Sequence, residues 1–345
     1  MSTIIATEIV LPGRVEPDGL TVTERELPPP NAGEALVRME ATGVSFAEQQ
    51  MRRGKYYDQP AFPFVPGYDL VGEVVAVGAG VDRALIGRRV AALTKIGGWS
   101  SHRLVPAADL VPVPDGLASD AAETFVVNGI TAWQMLHRTA KVRAGQTILV
   151  HGANGGVGST LVQLARAAGI RVIGTASARN ADAVAALGAT PVDYRGDVVA
   201  QVRALAPNGV DAVFDHVGGP GIVDSFGLLA PGGALVSYGS AATKNEEGNS
   251  RLPVLKLFAR LLWWNTLPNK RSASFYNIWA GRRRLARFQA RLTEDLGAVL
   301  ALAAEGVLTP QIAARIPLRE AARALTLAES GTVTGKVVLI GDAAA

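Results

Sequence analysis

The stretch Leu149-Val150-His151-Gly152-Ala153-Asn154-Gly155-Gly156-Val157-Gly158-Ser159-Thr160-Leu161-Val162-Gln163-Leu164 decides the fold. A short apolar run enters a cluster of glycines and leaves it as a helical pattern. Read as Ala153-x-Gly155-x-x-Gly158, the turn is a G-x-G-x-x-G fingerprint with Ala in its first place. Glycine lets the backbone approach a pyrophosphate, whose charge is favoured at a helix N-terminus. Ala153, Gly155, Gly156, Val157 and Gly158 are therefore candidate cofactor contacts. The competing reading is a strand–helix turn that packs tightly without a ligand. A second apolar run, Arg171–Thr175, follows at the spacing that the dinucleotide reading requires.

Working outward, strands and helices alternate from residue 147 to 237. Strands are expected at Thr147–Val150, Arg171–Thr175, Ala212–Phe214 and Ala234–Ser237. Helices are expected at Gly155–Ala168, Ala181–Leu187, Asp197–Leu205 and Gly221–Leu229. Runs such as ILV and AVF are apolar on both faces, as a parallel sheet covered by helices demands. Upstream, residues 20–115 carry short β-like runs punctuated by Gly and Pro, and Gly72 and Gly78 suit a curled sheet. Helices are expected over Asp120–Arg138 and Leu285–Ala304, and Lys336–Ile340 reads as a strand that rejoins the N-terminal sheet.

The second strand of the parallel sheet selects the nucleotide. An NAD site places Asp or Glu at its end, to bind the ribose 2′-hydroxyl. Here the strand runs into Thr175-Ala176-Ser177-Ala178-Arg179-Asn180, with Ala176 where the acid would stand. Ser177 can donate to a 2′-phosphate and Arg179 can pair with it in two-pronged fashion, with Asn180 beside them. Tyr194, after the next short strand, closes the same pocket. NADPH is the expected cofactor. The competing reading makes Arg179 a solvated loop residue.

Composition narrows the chemistry. The 345 residues suggest two domains, and 48% hydrophobic against 19% charged residues excludes wholesale disorder. There is no Cys, which excludes disulfides, thiol nucleophiles and thiolate-held zinc. The four histidines, His102, His137, His151 and His216, show no metal-ligand spacing, so no bound metal is expected. The opening MSTIIATEIVLPG lacks a basic n-region, and no apolar run approaches the roughly 20 residues of a membrane span, so a cytoplasmic location is expected.

Together these motifs resemble the medium-chain dehydrogenase/reductases, in the zinc-free quinone oxidoreductase branch. The resemblance rests on Gly43-Val44-Ser45-Phe46-Ala47-Glu48, Gly54-Lys55-Tyr56-Tyr57, the run Pro66–Val74, Asn128-Gly129-Ile130-Thr131-Ala132-Trp133, the glycine turn, Gly232-Gly233, Tyr238-Gly239 and Thr334-Gly335-Lys336-Val337-Val338. The stretch Val44–Tyr57 and Leu261-Leu262-Trp263-Trp264 are most similar to the vesicle amine transport protein-like subgroup. The resemblance implies an α/β protein: a GroES-like β-rich catalytic domain over 1–125, completed by 271–345, and a Rossmann doubly wound domain over 126–270. It implies NADPH-dependent reduction of a quinone or α,β-unsaturated carbonyl by a homodimer. It adds Thr131, Tyr238 and Ser240 to the cofactor contacts, and Asn128, Gly239, Phe275, Tyr276 and Lys336 are further candidates. Phe275, Tyr276 and Trp279 are alternatively the walls of a substrate pocket.

Zinc-bearing members carry Cys and Gly-His-Glu where this chain has Ser45 and Gly67-Tyr68-Asp69. An ordinary alcohol needs a Lewis acid or strong base before it loses hydride. A quinone or enone accepts hydride unaided, and the protein need only orient it and stabilise the developing oxyanion. Tyr56 and Tyr57 are the candidate donors, and Ser45 could hold substrate or cofactor. Each also has an ordinary reading, as packed aromatics and a turn or helix-cap residue. His151 and His216 are expected to be satisfied by backbone.

One segment owns the positive charge. Residues 244–291 hold eleven Lys and Arg against two acids, hence +9, while the rest of the chain sums to −5. Val254, Leu255, Phe258, Leu261 and Leu262 recur there at helical spacing. An amphipathic helix at the active site or a dimer seam, an anionic membrane contact and a nucleic-acid contact compete, the last being unlikely because no binding motif accompanies it. The alternative to an enzyme is accordingly a low-turnover, NADPH-binding regulatory or membrane-associated protein on the same fold.

Overall fold

The computed structural model describes residues 4–239 and 251–341. The chain divides into two compact units, Met1–Ile130 with Arg283–Ala345, and Thr131–Arg282.

The first unit is mainly β. A two-stranded ribbon pairs β1 (Ile4–Val10) with β2 (Thr21–Leu27). Next come β3 (Glu34–Val44), helix α1 (Phe46–Arg52), β4 (Asp69–Val77), β5 (Arg89–Leu93), β6 (His102–Pro106) and β7 (Val111–Pro112). Strand β3 is long enough to pair with β4 on one side while β6 joins it as well. Its register with β4 shifts at Met39/Ala41, opposite Gly72. A Cβ on Gly72 would lie 2.1 Å from the Arg38 carbonyl oxygen, and one on Gly78 1.7 Å from that of Asn31. These two glycines let the sheet curl. The fully buried Trp99 plugs it, donating its indole N–H to the Gly43 carbonyl at 2.9 Å.

The single helix expected over Asp120–Arg138 is instead three pieces. Helix α2 (Ser119–Glu123) gives way to α3 (Val126–Trp133), which widens into a π-helical stretch over Gln134–Ala140. The break falls where the Phe125 N–H reaches back only to Ala122 and the Thr124 hydroxyl takes the Ala121 carbonyl. Lys141, left-handed at φ 55°, ends the run.

Among the described residues, the second unit holds six parallel strands. They are β8 (Thr147–Val150), β9 (Arg171–Ala176), β10 (Thr190–Asp193), β11 (Val210–Asp215), β12 (Leu229–Ser237) and β13 (Ser272–Phe275). Between them lie α4 (Gly156–Ala167), α5 (Ala181–Ala186), α6 (Val198–Leu205), α7 (Ile222–Gly227) and α8 (Arg251–Thr266). The spatial order β10-β9-β8-β11-β12-β13 is 3-2-1-4-5-6, the doubly wound dinucleotide-binding arrangement. The expected boundary at 270/271 is therefore corrected. Strand β13 pairs in parallel with β12, and the unit continues to Arg282.

The chain then returns to the first unit through α9 (Leu285–Ala304), β14 (Ile312–Pro317), α10 (Ala321–Glu329) and β15 (Lys336–Ile340). Strand β15 lies antiparallel to β3, placing Val337 opposite Val44, so the C-terminal strand does rejoin the N-terminal sheet.

Candidate functional site

In the second unit the glycine turn stands where the fingerprint requires. Helix α4 begins at Gly156, and its N-cap, Gly155, offers no side-chain cap, so the first N–H groups of α4 lack the usual local acceptor. A Cβ on Gly158 would lie 2.2 Å from the Gly152 carbonyl oxygen, and Gly152 is left-handed at φ 63°. The loop thus closes on itself at Gly152 and Gly158, where a side chain does not fit. Ala153 is fully buried, and its N–H is held by the Thr175 carbonyl at 2.9 Å.

The end of β9 presents the residues expected to read the ribose. Ala176 is buried, and Tyr194 is fixed beside it, donating its N–H to the Ala176 carbonyl at 3.1 Å. Ser177 is 5% exposed, and its hydroxyl has no hydrogen-bond partner. A buried hydroxyl normally finds a partner, so one without it points to a missing acceptor. Arg179 and Asn180 occupy the short turn that follows, with Arg179 exposed. The Tyr194 ring is half exposed, with the Arg195 guanidinium 5.8 Å from its centre.

Other expected contacts fall in varied places. Thr131 and Asn128 are buried on α3, and the Asn128 amide donates to the Thr124 carbonyl at 3.1 Å. The Tyr238 N–H donates to the Asp215 carbonyl, while burial, aided by Asp215, pushes its phenol up. Gly239 packs so closely that a Cβ would meet the His216 carbonyl oxygen at 2.7 Å. Phe275 stacks edge-on with Phe258, and the Tyr276 hydroxyl donates to Gln134 at 2.9 Å. Ser240 lies outside the described residues.

Lys336 is a correction. Its ammonium is bound by Asp69 at 3.0 Å and by Glu123, with all three side chains buried. Burial alone would lower its pKa, but the two carboxylates outweigh burial and hold it charged. That charge is engaged by two acids of the first unit.

Of the two histidines, His216 does meet backbone, that of His151, and only His151 is corrected. His151 is held by side-chain hydroxyls, with Nε2 3.1 Å from Ser225 Oγ and Nδ1 3.4 Å from Thr175 Oγ1. Ser225 in turn donates to Asp215 at 2.7 Å. Nδ1 of His216 has no hydrogen-bond partner. Burial pushes both imidazoles down, against the pull of Asp215, so both are neutral near pH 7.

In the first unit Ser45 is the N-cap of α1. Its Oγ accepts from the Ala47 N–H at 3.1 Å, while its own N–H and hydroxyl donate to Glu48. Tyr56 is half-buried and Tyr57 exposed, their rings 4.6 Å apart. Burial, then neighbouring phenols, pushes the Tyr56 pKa up, and burial does the same for Tyr57. Both are neutral donors at any working pH. Among the described residues no group of three His, Cys, Asp or Glu could hold a metal ion.

Comparison with known proteins agrees with this geometry. Residues 31–115 match the alcohol dehydrogenase GroES-like domain, and residues 187–339 match the zinc-binding dehydrogenase model. The chain is 32% identical over 324 residues to the human synaptic vesicle membrane protein VAT-1 homolog, covering 91% of this chain and 80% of that one. It belongs to the medium-chain dehydrogenase/reductases. Among solved structures, a quinone oxidoreductase from Pseudomonas syringae superposes with a TM-score of 0.83 at 29% identity, covering 97% of this chain and 99% of the other. A mycobacterial protein solved in complex with NADPH superposes at 0.81, with 28% identity and the same coverage.

Within this dehydrogenase/reductase frame, three residues escaped the sequence reading. Glu48, 2% exposed, binds the Tyr68 N–H at 2.7 Å as well as Ser45. Its sequence signal was present, because Ser45-Phe46-Ala47-Glu48 is a capping-box pattern. Asp69 and Glu123 form the buried ion cluster with Lys336, and Asp69 also accepts the Val127 N–H at 3.0 Å. No local pattern announces partners separated by hundreds of residues.

The basic segment is partly described. Helix α8 buries Leu261 and Trp264, the latter stacked on Phe226 at 4.2 Å. Leu255, Phe258, Leu262 and Trp263 stay exposed, so the buried face is not the stripe expected from apolar spacing. Residues 244–250, where the segment begins, lie outside the described residues. No described helix is long and apolar enough to cross a membrane.

Proposed function

We propose that this protein is an NADPH-dependent oxidoreductase that delivers hydride to a quinone or α,β-unsaturated carbonyl without a metal. The observation that carries the reading is the buried, partnerless Ser177 hydroxyl at the end of β9, where Ala176 replaces the acid of an NAD site. The closed glycine turn, with no room for a Cβ at Gly158, supports a pyrophosphate at the start of α4. NADPH, when bound, supplies the hydride.

The chain's own residues bind, orient and stabilise. Ser177, Arg179 and Tyr194 would hold the 2′-phosphate, and Gly155, Gly156 and Val157 the pyrophosphate. On the first unit the Tyr56 hydroxyl would donate to the substrate oxygen as negative charge develops there. A neutral donor held by its surroundings costs little reorganisation as the charge appears. Ser45 is occupied in capping α1, which favours a structural role for it. A homodimer and a metal-free reaction complete the proposal.

The test is steady-state NADPH oxidation with a panel of quinones and enones, repeated after exhaustive chelation and metal analysis. Turnover that survives chelation supports the reading. Tyr56→Phe should slow hydride transfer to an aliphatic enone by about tenfold and to a quinone by less, because a conjugated ring spreads the charge. Stoichiometric zinc whose removal abolishes turnover would overturn the metal-free route. NADPH binding without turnover would favour the regulatory reading, for which the exposed Leu262 and Trp263 on α8 offer a surface.

A further inference from the structure

We propose that Tyr68 is a positioning residue for the reaction, the inner phenol of a two-phenol chain that aims the Tyr56 proton at the substrate oxygen. The inference rests on the reading of Tyr56 as oxyanion donor. Tyr68 Oη lies 2.7 Å from Tyr56 Oη, and the two rings meet edge-on at 6.3 Å. Tyr68 is 3% exposed, so it does not itself offer a surface to solvent or ligand. It acts through Tyr56.

Its placement is unusually constrained. The Tyr68 N–H donates to the buried Glu48 carboxylate at 2.7 Å. Its carbonyl accepts the N–H groups of Thr94 and Lys95, at 2.9 and 3.1 Å. The Lys95 ammonium then pairs at 2.5 Å with Asp58, two residues beyond Tyr56. Tyr68 and the loop that carries Tyr56 are thus both tied to the same turn, and that turn fixes the distance between the two hydroxyls.

Each phenol has one proton and can also accept. If Tyr56 donates to Tyr68, its proton is consumed internally. If Tyr68 donates to Tyr56, the Tyr56 proton is available to an acceptor beyond the pair, which is the Tyr57 hydroxyl in the free protein and a ligand oxygen in the complex. An anionic or strongly accepting ligand oxygen selects the second arrangement, Tyr68 to Tyr56 to ligand. Hydrogen bonds in such a chain polarise one another, so the outer donor is stronger than an isolated phenol. No proton need leave either residue. Burial and the neighbouring phenols, which oppose ionisation of Tyr56, agree with a donor that remains neutral.

A double-mutant cycle tests this with two readouts on wild type, Tyr56→Phe, Tyr68→Phe and the double variant. One is the binding of 4-nitrophenolate, a stable oxyanion, followed by its absorbance. The other is single-turnover hydride transfer from NADPH to an aliphatic enone at saturation. The Phe variants keep both rings, and a cooperative melting transition reports that they are folded. Tyr68→Phe should weaken nitrophenolate binding and slow hydride transfer by roughly three- to tenfold, with the NADPH dissociation constant unchanged. In the Tyr56→Phe background the same change should have a clearly smaller effect, since Tyr68 then has only Tyr57 left as a phenol partner. Equal losses with and without Tyr56 would overturn the chain and make Tyr68 a packing residue. No loss in Tyr68→Phe would overturn it too. Absence of turnover in every protein would remove the proposed reaction while the nitrophenolate cycle still decided the donor chain.

Discussion

Ser177→Ala should move two measurable quantities in opposite directions. The side chain is 5% exposed and its hydroxyl unpartnered in the free protein. A buried polar group without a partner costs about 1–3 kcal/mol. Replacing that hydroxyl with hydrogen removes the cost, so the free protein should gain about 1 kcal/mol of stability. With NADPH bound, the hydroxyl would donate to a charged phosphate, an interaction worth about 1.5–3 kcal/mol. At 1.4 kcal/mol per decade, the NADPH dissociation constant of Ser177→Ala should rise roughly 10- to 150-fold. NADH has no 2′-phosphate, and its affinity should stay within about twofold. Fluorescence titration with both cofactors gives the affinities, and urea unfolding of the free protein gives the stability. An equal loss for NADH and NADPH would refute the 2′-phosphate assignment. A free protein destabilised by the change would refute the claim that the hydroxyl lacks a partner.

Further expectations follow from the first unit. Lys336→Met leaves Asp69 and Glu123 buried without their cation and should cost about 3–5 kcal/mol in urea unfolding, with NADPH affinity unchanged; a selective loss of NADPH binding would restore Lys336 to the cofactor site. Glu123 is pushed well above the usual carboxylate range by burial first, then by Asp69, against the pull of Lys336. The folded state then holds a proton that the unfolded chain, titrating near 4.5, releases, so stability falls as pH rises above that value toward the folded pKa. Glu123→Gln keeps an oxygen for Lys336 and should flatten this decline above the ordinary carboxylate range; an unchanged slope in the urea midpoint would exclude Glu123 as its source. Ser45→Ala should lose about 0.5–2 kcal/mol of stability with hydride transfer at saturation unaltered, whereas slowed transfer at full stability would make Ser45 part of the substrate site.

The legible parts of this fold are those whose signal is local. Strands such as Thr147–Val150 are apolar on both faces, and the glycine turn leads straight into α4, so the parallel sheet could be read from short windows. Strand β13, Ser-Ala-Ser-Phe, carries no such signal. It exists because β12 offers an edge and because the Asn265 side chain, on α8, pairs with both the N–H and the carbonyl of Ala273. The break in the helix expected over Asp120–Arg138 was invisible for a related reason. It depends on i−3 closures at Thr124 and Phe125 within a segment whose residues all tolerate a helix. Ser177 and Tyr194 could be placed from sequence because each follows a strand directly. The burial of the Ser177 hydroxyl was not, since that depends on the packing around it.

Ser45 and Tyr68 show how one carboxylate can organise the positions that hold ligands in zinc-bearing relatives. Glu48 accepts the Ser45 N–H at 2.8 Å, the Ser45 hydroxyl and the Tyr68 N–H at 2.7 Å. Its burial raises its pKa, and the Ser45 hydrogen bond pulls the other way. The carboxylate therefore selects a single geometry in which the start of α1 and the approach to β4 are held together. That same geometry sets the Tyr68 hydroxyl against Tyr56. In this chain, with no Cys and with Tyr at position 68, hydrogen bonds to a buried acid hold these elements together. Reinstating His alone at position 68 should not restore a metal site, because Ser45 and Glu48 are already committed to one another. Metal analysis of Tyr68→His grown with added zinc should find no stoichiometric metal, and a full equivalent bound would show that the Glu48 cluster yields more easily than its buried hydrogen bonds imply.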